Sequence, residues 1–98
     1  MQAETLTFDQ VHLGVPDPQA AARWYVRHLG AAPGDHVDRI WFGGTRVIFL
    51  ENATPAPSLG AAIDHFALSC ADVQAQIGAL QGSGARVTTP VGRVLTDP

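Results

Sequence analysis

The stretch FDQVHLGVPDPQAAARWYVRHLGA, residues 8–31, decides the fold of this 98-residue chain. Its beginning alternates polar and apolar side chains, and a period of two residues predicts a half-buried β-strand. Behind the strand, Asp17 is a suitable helix N-cap, Pro18 suits the first helical position, and Gly30 is a natural C-terminal stop. The stretch therefore predicts a strand that is followed directly by an α-helix.

A second stretch, IDHFALSCADVQA at residues 63–75, resembles residues 8–20 at a constant offset of 55 positions. Self-similarity at a fixed offset indicates a duplicated structural unit. In the second copy Asp72 takes the capping position, and the helix is expected to end at Gly82 or Gly84. Both copies are therefore predicted to begin with a strand and a helix.

The segment DHVDRIWFGGTRVIFLEN, residues 35–52, predicts two further strands around a tight turn at Gly43 and Gly44. A short extra strand is expected near Ala31, which makes the first copy a βαβββ module. A proline-containing segment then marks a linker between the copies.

We expect a single domain over residues 1–98, with module one at about 5–54, the linker at about 55–60 and module two at about 61–98. A full second copy would reach about residue 106, so module two is expected to lack its last strand.

The composition argues for a folded domain and against two classes of partner. Apolar residues make up 46% of the chain and charged residues 15%, as in globular proteins. The net charge is −3 and the six basic residues are dispersed arginines, so we expect no nucleic acid partner. The chain has neither an apolar run of the roughly 18 residues that span a bilayer nor a signal sequence, which predicts a cytoplasmic protein without membrane contact.

The single cysteine, Cys70, is in phase with neighbouring apolar residues and is expected to be buried.

The segments quoted above, together with VIFLEN and the continuation AQIGALQGSGARVTTP, resemble the vicinal oxygen chelate superfamily from about residue 8 onward. This superfamily includes glyoxalase I, bleomycin-resistance proteins and extradiol dioxygenases. The resemblance implies an α+β fold in which paired βαβββ modules form a cup-shaped mixed sheet. It also implies a small-molecule cavity on the concave face of that sheet and a homodimer.

The resemblance also implies candidate ligands for one divalent ion, Fe, Mn, Ni or Zn. The first-strand histidine of module two falls on His65, whereas the matching position in module one is Gln10. His12 lies two residues after Gln10, so both side chains point to the same face of the strand. Glu51 is a candidate ligand from the last strand of module one, displaced from the usual position, and a candidate proton carrier if it faces the cavity.

Three functions are compatible with these residues. The first is a metal-dependent lyase, isomerase or dioxygenase, in which the ion binds two neighbouring substrate oxygens as a Lewis acid. The second is a metal-free binding protein that sequesters a drug, which the glutamine at position 10 favours. The third is a truncated domain without independent activity, because an incomplete sheet leaves an unpaired edge. In the first two cases Trp41 and Phe49, on strands of the cup, are candidates for contact with an apolar substrate.

Overall fold

The computed structural model describes residues 6–58 and 66–87. The chain divides into two compact units, Met1–Ala56 and Pro57–Pro98, with the boundary in the predicted linker. The mixture of helices and strands confirms the predicted α+β class. The described elements, in chain order, are β1 (Gln10–Val15), α1 (Pro18–Leu29), β2 (Ala32–Pro33), β3 (Arg39–Phe42), β4 (Thr45–Glu51) and α2 (Val73–Gly82).

The two helices begin in the same way. Oδ1 of Asp17 accepts a hydrogen bond from the backbone N–H of Ala20 at 3.1 Å, and Oδ1 of Asp72 accepts one from Ala75 at 3.0 Å. A carboxylate in this position satisfies one of the N–H groups that the first helical turn leaves without a partner. The equivalence of the two caps at the offset of the repeat confirms that both copies start their helix alike.

The helix ends also follow from the sequence. Gly30 closes α1 in the left-handed conformation, with φ at 68°, which a residue without Cβ adopts at no steric cost. Gly82 is the last residue of α2. Neither α1 nor α2, the helices of the described residues, has the length and apolar content needed to cross a membrane.

The strands of the first unit form one mixed sheet in the order β1-β4-β3-β2. The β3–β4 and β2–β3 pairs are antiparallel, whereas β1 lies parallel to β4. Gly43, with φ at 55°, makes the turn between β3 and β4, as the glycine pair predicts. The first unit is therefore the predicted βαβββ module, including the short strand after Ala31.

One face of this sheet packs against α1 and forms the core. Phe49 and Ile40 are the largest fully buried side chains, and Tyr25 of α1 packs with its ring centroid 5.2 Å from that of Phe49. This packing explains why every second residue of β1 is apolar, because those side chains all point to the core side of the sheet. The buried members of the core are Ala22, Ala31, Ile40, Val47 and Phe49.

The second unit differs from its sequence-based prediction in its described part. Residues 66–70 form no strand, and Phe66 and Leu68 are nearly half exposed. Cys70 is exposed, so the expectation of a buried thiol was wrong: the alternating pattern buries a residue only if the segment joins a sheet. Residues 63–65 and the predicted end of module two lie outside the described residues.

Candidate functional site

The strand register separates the sheet into two faces. Residues that pair across neighbouring strands point to the same side, and the side alternates along each strand. Val47 and Phe49 face α1, so Arg46 and Ile48 face away from it, together with their partners in β1 and β3. We call this side the open face; its residues include Gln10, His12, Arg39, Trp41, Arg46 and Ile48.

One row across the open face combines an amide, a cation and an aromatic ring. Arg46 pairs with Gln10 on one side and with Trp41 on the other. Its guanidinium carbon lies 5.3 Å from the centre of the Trp41 ring, within the range of a cation–π contact. Nη2 of Arg46 donates to Oδ2 of Asp9 at 2.9 Å, whereas its buried Nε has no hydrogen-bond partner.

The adjacent row consists of His12, Ile48 and Arg39. Nε of Arg39 donates to Oδ1 of Asp38 at 2.9 Å. This hydrogen bond lowers the pKa of the Asp38 carboxyl and raises the pKa of the Arg39 guanidinium, since each charge stabilises the other. Ile48 is buried between its two polar neighbours. The open face thus has an apolar position surrounded by polar groups.

Gln10 and His12 contact each other directly. Nε2 of the Gln10 amide lies 2.9 Å from Nε2 of His12, and both side chains are exposed. The structure therefore places these two predicted site residues together on the open face, as their spacing in the sequence predicts. Because Nε2 of His12 is engaged by the amide, a metal ion at that nitrogen would have to replace the amide.

Glu51 lies on the other side of the sheet. It pairs with Val15 and shares the phase of Val47 and Phe49, which face α1. The side chain is exposed because Glu51 is the last residue of β4. Within this sheet, the register therefore separates Glu51 from His12, and the two do not form a common ligand set.

The two aromatic pocket candidates also differ in position. Phe49 is 1% exposed and lies in the core, where it contacts Tyr25 and not the open face. The same packing removes Tyr25 from water in part, and this burial raises the pKa of its phenol. Trp41 lies on the open face and is half-buried. Of the two, Trp41 alone is placed to contact a molecule on the open face.

His65, the first candidate among the predicted metal ligands, lies outside the described residues. Within residues 6–58 and 66–87, no three histidine, cysteine, aspartate or glutamate side chains are close enough together to hold a metal ion. His12 with the neutral Gln10 amide is the described remainder of the predicted set. These residues alone do not fit a divalent ion, which needs further charged or imidazole ligands.

Sequence reasoning did not single out Arg46 and Asp9. Arg46 is a charged residue directly before the apolar run 47–50 of β4, and a charge inside a strand is the signal that could have identified it. Its approach to Gln10 depends on the parallel register of β1 and β4, which neither segment specifies locally.

A groove of about 390 Å³ lies along α1. It is lined by Gln19, Arg23 and Val26 of the helix, by residues 33–37, which run from the end of β2 into the following loop, and by Arg39 of β3. Most of its surface is apolar, and it contains none of the predicted site residues. We therefore place the candidate site on the open face.

Comparison with known proteins identifies the family of the chain. The sequence model of the Glyoxalase/Bleomycin resistance protein/Dioxygenase superfamily matches residues 7–98. No curated protein and no solved structure is significantly similar to the chain. The matched range includes both copies of the repeat.

Proposed function

Because this chain belongs to the Glyoxalase/Bleomycin resistance protein/Dioxygenase superfamily, we propose that it binds a small molecule on the open face of its sheet. The observation that carries the proposal is the row in which Arg46 lies between Gln10 and Trp41. These residues offer a hydrogen-bonding amide, a cation and an aromatic surface side by side.

The chemistry of this row defines the ligand class. The Arg46 guanidinium contacts the Trp41 ring and donates to Asp9 through Nη2. A flat molecule would therefore stack on the part of the indole that the guanidinium leaves uncovered and accept a charge-assisted hydrogen bond from Nη1. Oxygen atoms are the natural acceptors for Arg46, Gln10 and His12. We therefore propose a planar small molecule with oxygen substituents as the ligand, either a substrate or a sequestered drug.

The metal-dependent enzyme is the second candidate, and it depends on His65. Of the predicted ligands that the structure describes, the open face has His12 and the neutral Gln10 amide, with Glu51 on the opposite side. A bound divalent ion would supply a Lewis acid to neighbouring oxygens of the ligand. The choice between lyase, isomerase and dioxygenase chemistry, the homodimer and the cytoplasmic location all remain predictions.

Ligand binding can be measured through the fluorescence of Trp41. The chain has two tryptophans, so Trp24→Phe leaves Trp41 as the reporter. The probes are catechol, 2-oxo acids and related planar molecules with neighbouring oxygens. We expect the emission to change on binding, and Arg46→Gln to weaken binding by about tenfold, because a charged hydrogen-bond donor is lost. His36→Ala, in an exposed loop, is the matched control.

Metal dependence needs a separate measurement. Protein purified without chelator and without a His tag is analysed for metal per chain, alongside His12→Ala, His65→Ala and His36→Ala. One divalent ion that is lost in the first two variants and kept in the third would support the enzyme. Probe binding without metal would support the binding protein, and no response of Trp41 to any probe, with or without metal, would contradict the proposed function.

A further inference from the structure

The contact between Gln10 and His12 has a consequence for the chemistry of the imidazole. A neutral histidine carries its proton on one ring nitrogen and a lone pair on the other, and the hydrogen bond at one nitrogen decides which tautomer is present. In this chain Nε2 of His12 is the nitrogen with a partner, at 2.9 Å from the Gln10 amide. Within residues 6–58 and 66–87, Nδ1 of His12 has no hydrogen-bond partner.

The orientation of the Gln10 amide follows from its surroundings. Amide nitrogen and oxygen are assigned by the groups they face, and here the nitrogen faces His12. Gln10 is the Cα partner of Arg46 in the parallel register of β1 and β4, so a positively charged side chain stands beside Gln10 on the same face of the sheet. The oxygen is the negative end of the amide dipole, so a nearby positive charge favours the orientation in which this oxygen faces Arg46. The NH₂ group then faces His12. An NH₂ group can donate but cannot accept, so Nε2 of His12 is the acceptor.

We propose that Gln10 holds neutral His12 as the Nδ1–H tautomer, so that His12 presents a hydrogen-bond donor to the ligand of the open face. Gln10 is thereby a positioning residue that determines specificity. The ligand group that meets His12 is an acceptor oxygen, such as a carbonyl, a carboxylate or an ether, and not a donating hydroxyl. The statement about the ligand rests on the proposed function, whereas the tautomer is a property of the free protein.

The tautomer can be read from the ¹⁵N spectrum of the histidine side chains. Protonated and unprotonated ring nitrogens have well-separated shifts, and their couplings to the ring carbon protons distinguish Nδ1 from Nε2. The spectra are recorded at about pH 8.5, where an imidazole with the ordinary pKa of about 6.5 is neutral. The chain has four histidines, and the His12 signals are identified by their loss in His12→Gln.

Two substitutions at position 10 test the cause. Gln10→Leu removes the partner, and Gln10→Glu keeps the size of the side chain but replaces the donor by a group that can only accept. Position 10 is exposed, so both variants should fold, and backbone amide spectra check this. The share of Nδ1–H at His12 should be larger in the wild type than in either variant. The ratio of Nδ1–H to Nε2–H should fall by about fivefold in Gln10→Leu, the factor that one net hydrogen bond provides. It should fall further in Gln10→Glu.

A ratio of Nδ1–H to Nε2–H that is the same in the wild type and in Gln10→Leu would overturn the inference, as would a ratio that is lower in the wild type. Neither result requires a ligand. Failure of the proposed function would be seen instead as missing Trp41 response in the binding experiment, so the two failures are distinguishable.

Discussion

Nη2 of Arg46 lies 2.9 Å from Oδ2 of Asp9, although the two residues are 37 positions apart in the chain. Asp9 directly precedes β1 and Arg46 belongs to β4, so this ion pair joins the two parallel strands in addition to their backbone ladder. The side chains remain partly in solvent, 68% exposed for Asp9 and 26% for Arg46. Water and salt therefore weaken the attraction between the two charges.

Asp9→Ala is accordingly expected to lower the free energy of unfolding by no more than about 1 kcal/mol. The difference from the wild type should decrease in about 1 M NaCl, because salt screens exposed charges. Urea unfolding at low and high salt measures both values. Asp35→Ala removes an exposed loop acid that, among the described residues, makes no hydrogen bond with an arginine and acts on Arg39 only through its charge; it is the control and should have a smaller effect. A loss of several kcal/mol in Asp9→Ala would show that the pair is effectively buried.

Phe49→Ala and Trp41→Ala separate the core from the open face. Phe49 is 1% exposed, and truncation of a fully buried phenylalanine costs about 3–5 kcal/mol. Trp41 is half-buried and contacts Arg46, and such a cation–π contact contributes about 0.5–1 kcal/mol at an exposed site. Urea unfolding should therefore show the larger loss for Phe49→Ala. Equal losses in the two variants would contradict the assignment of the faces.

Tyr25 provides a prediction about alkaline pH. Its pKa is raised by burial, so the folded protein holds the phenol proton more tightly than the unfolded chain does. The stability from this group is complete below the ordinary tyrosine pKa of about 10 and is lost as the pH rises through the folded value.

The chain has one tyrosine, so phenolate absorbance reports Tyr25 alone. The titration of native protein should lie at higher pH than that of protein in denaturant. Tyr25→Phe, which keeps the ring and removes the titrating group, should lose less stability between neutral and alkaline pH than the wild type. Coincident titrations in the two solvents would contradict a partly buried phenol.

The two aspartate caps offer a matched pair of variants. Asp17→Ala and Asp72→Ala should each destabilise their helix by about 1 kcal/mol, because an N–H of the first turn loses its acceptor. Hydrogen exchange at the Ala20 and Ala75 amides, the donors to the two caps, should become faster in the respective variant. Asp17→Asn and Asp72→Asn keep an acceptor oxygen, so they should retain most of the protection of these amides against exchange. Unchanged exchange in both alanine variants would show that the caps do not stabilise the helices.

Local signals in the sequence predicted the elements of the first unit. A cap such as Asp17 and a positive-φ glycine such as Gly30 or Gly43 depend on neighbouring residues alone, so the sequence specifies them directly. The placement of Gln10 and His12 on one face follows equally from their spacing of two residues.

The facing of Glu51 could not be predicted in the same way. The four residues before it, 47–50, are all apolar, and a continuous apolar run hides the alternation that would reveal the two faces of the strand. The register of β4 with β1 shows which face Glu51 is on. This register is a tertiary feature, so the sequence of β4 alone does not specify it. Cys70 illustrates the converse: its segment has a clear alternation, yet its described residues join no strand.

The position of β4 between β1 and β3 also determines the order in which the open face can assemble. The β3–β4 hairpin closes over a turn at Gly43 and brings Trp41 beside Arg46 through local contacts. The pairing of β1 with β4 requires the closure of a much longer loop that includes α1, and loop closure becomes slower and entropically more costly with length. We therefore expect the cation and the aromatic ring to come together early, through the hairpin, and the amide and imidazole of β1 to join them later.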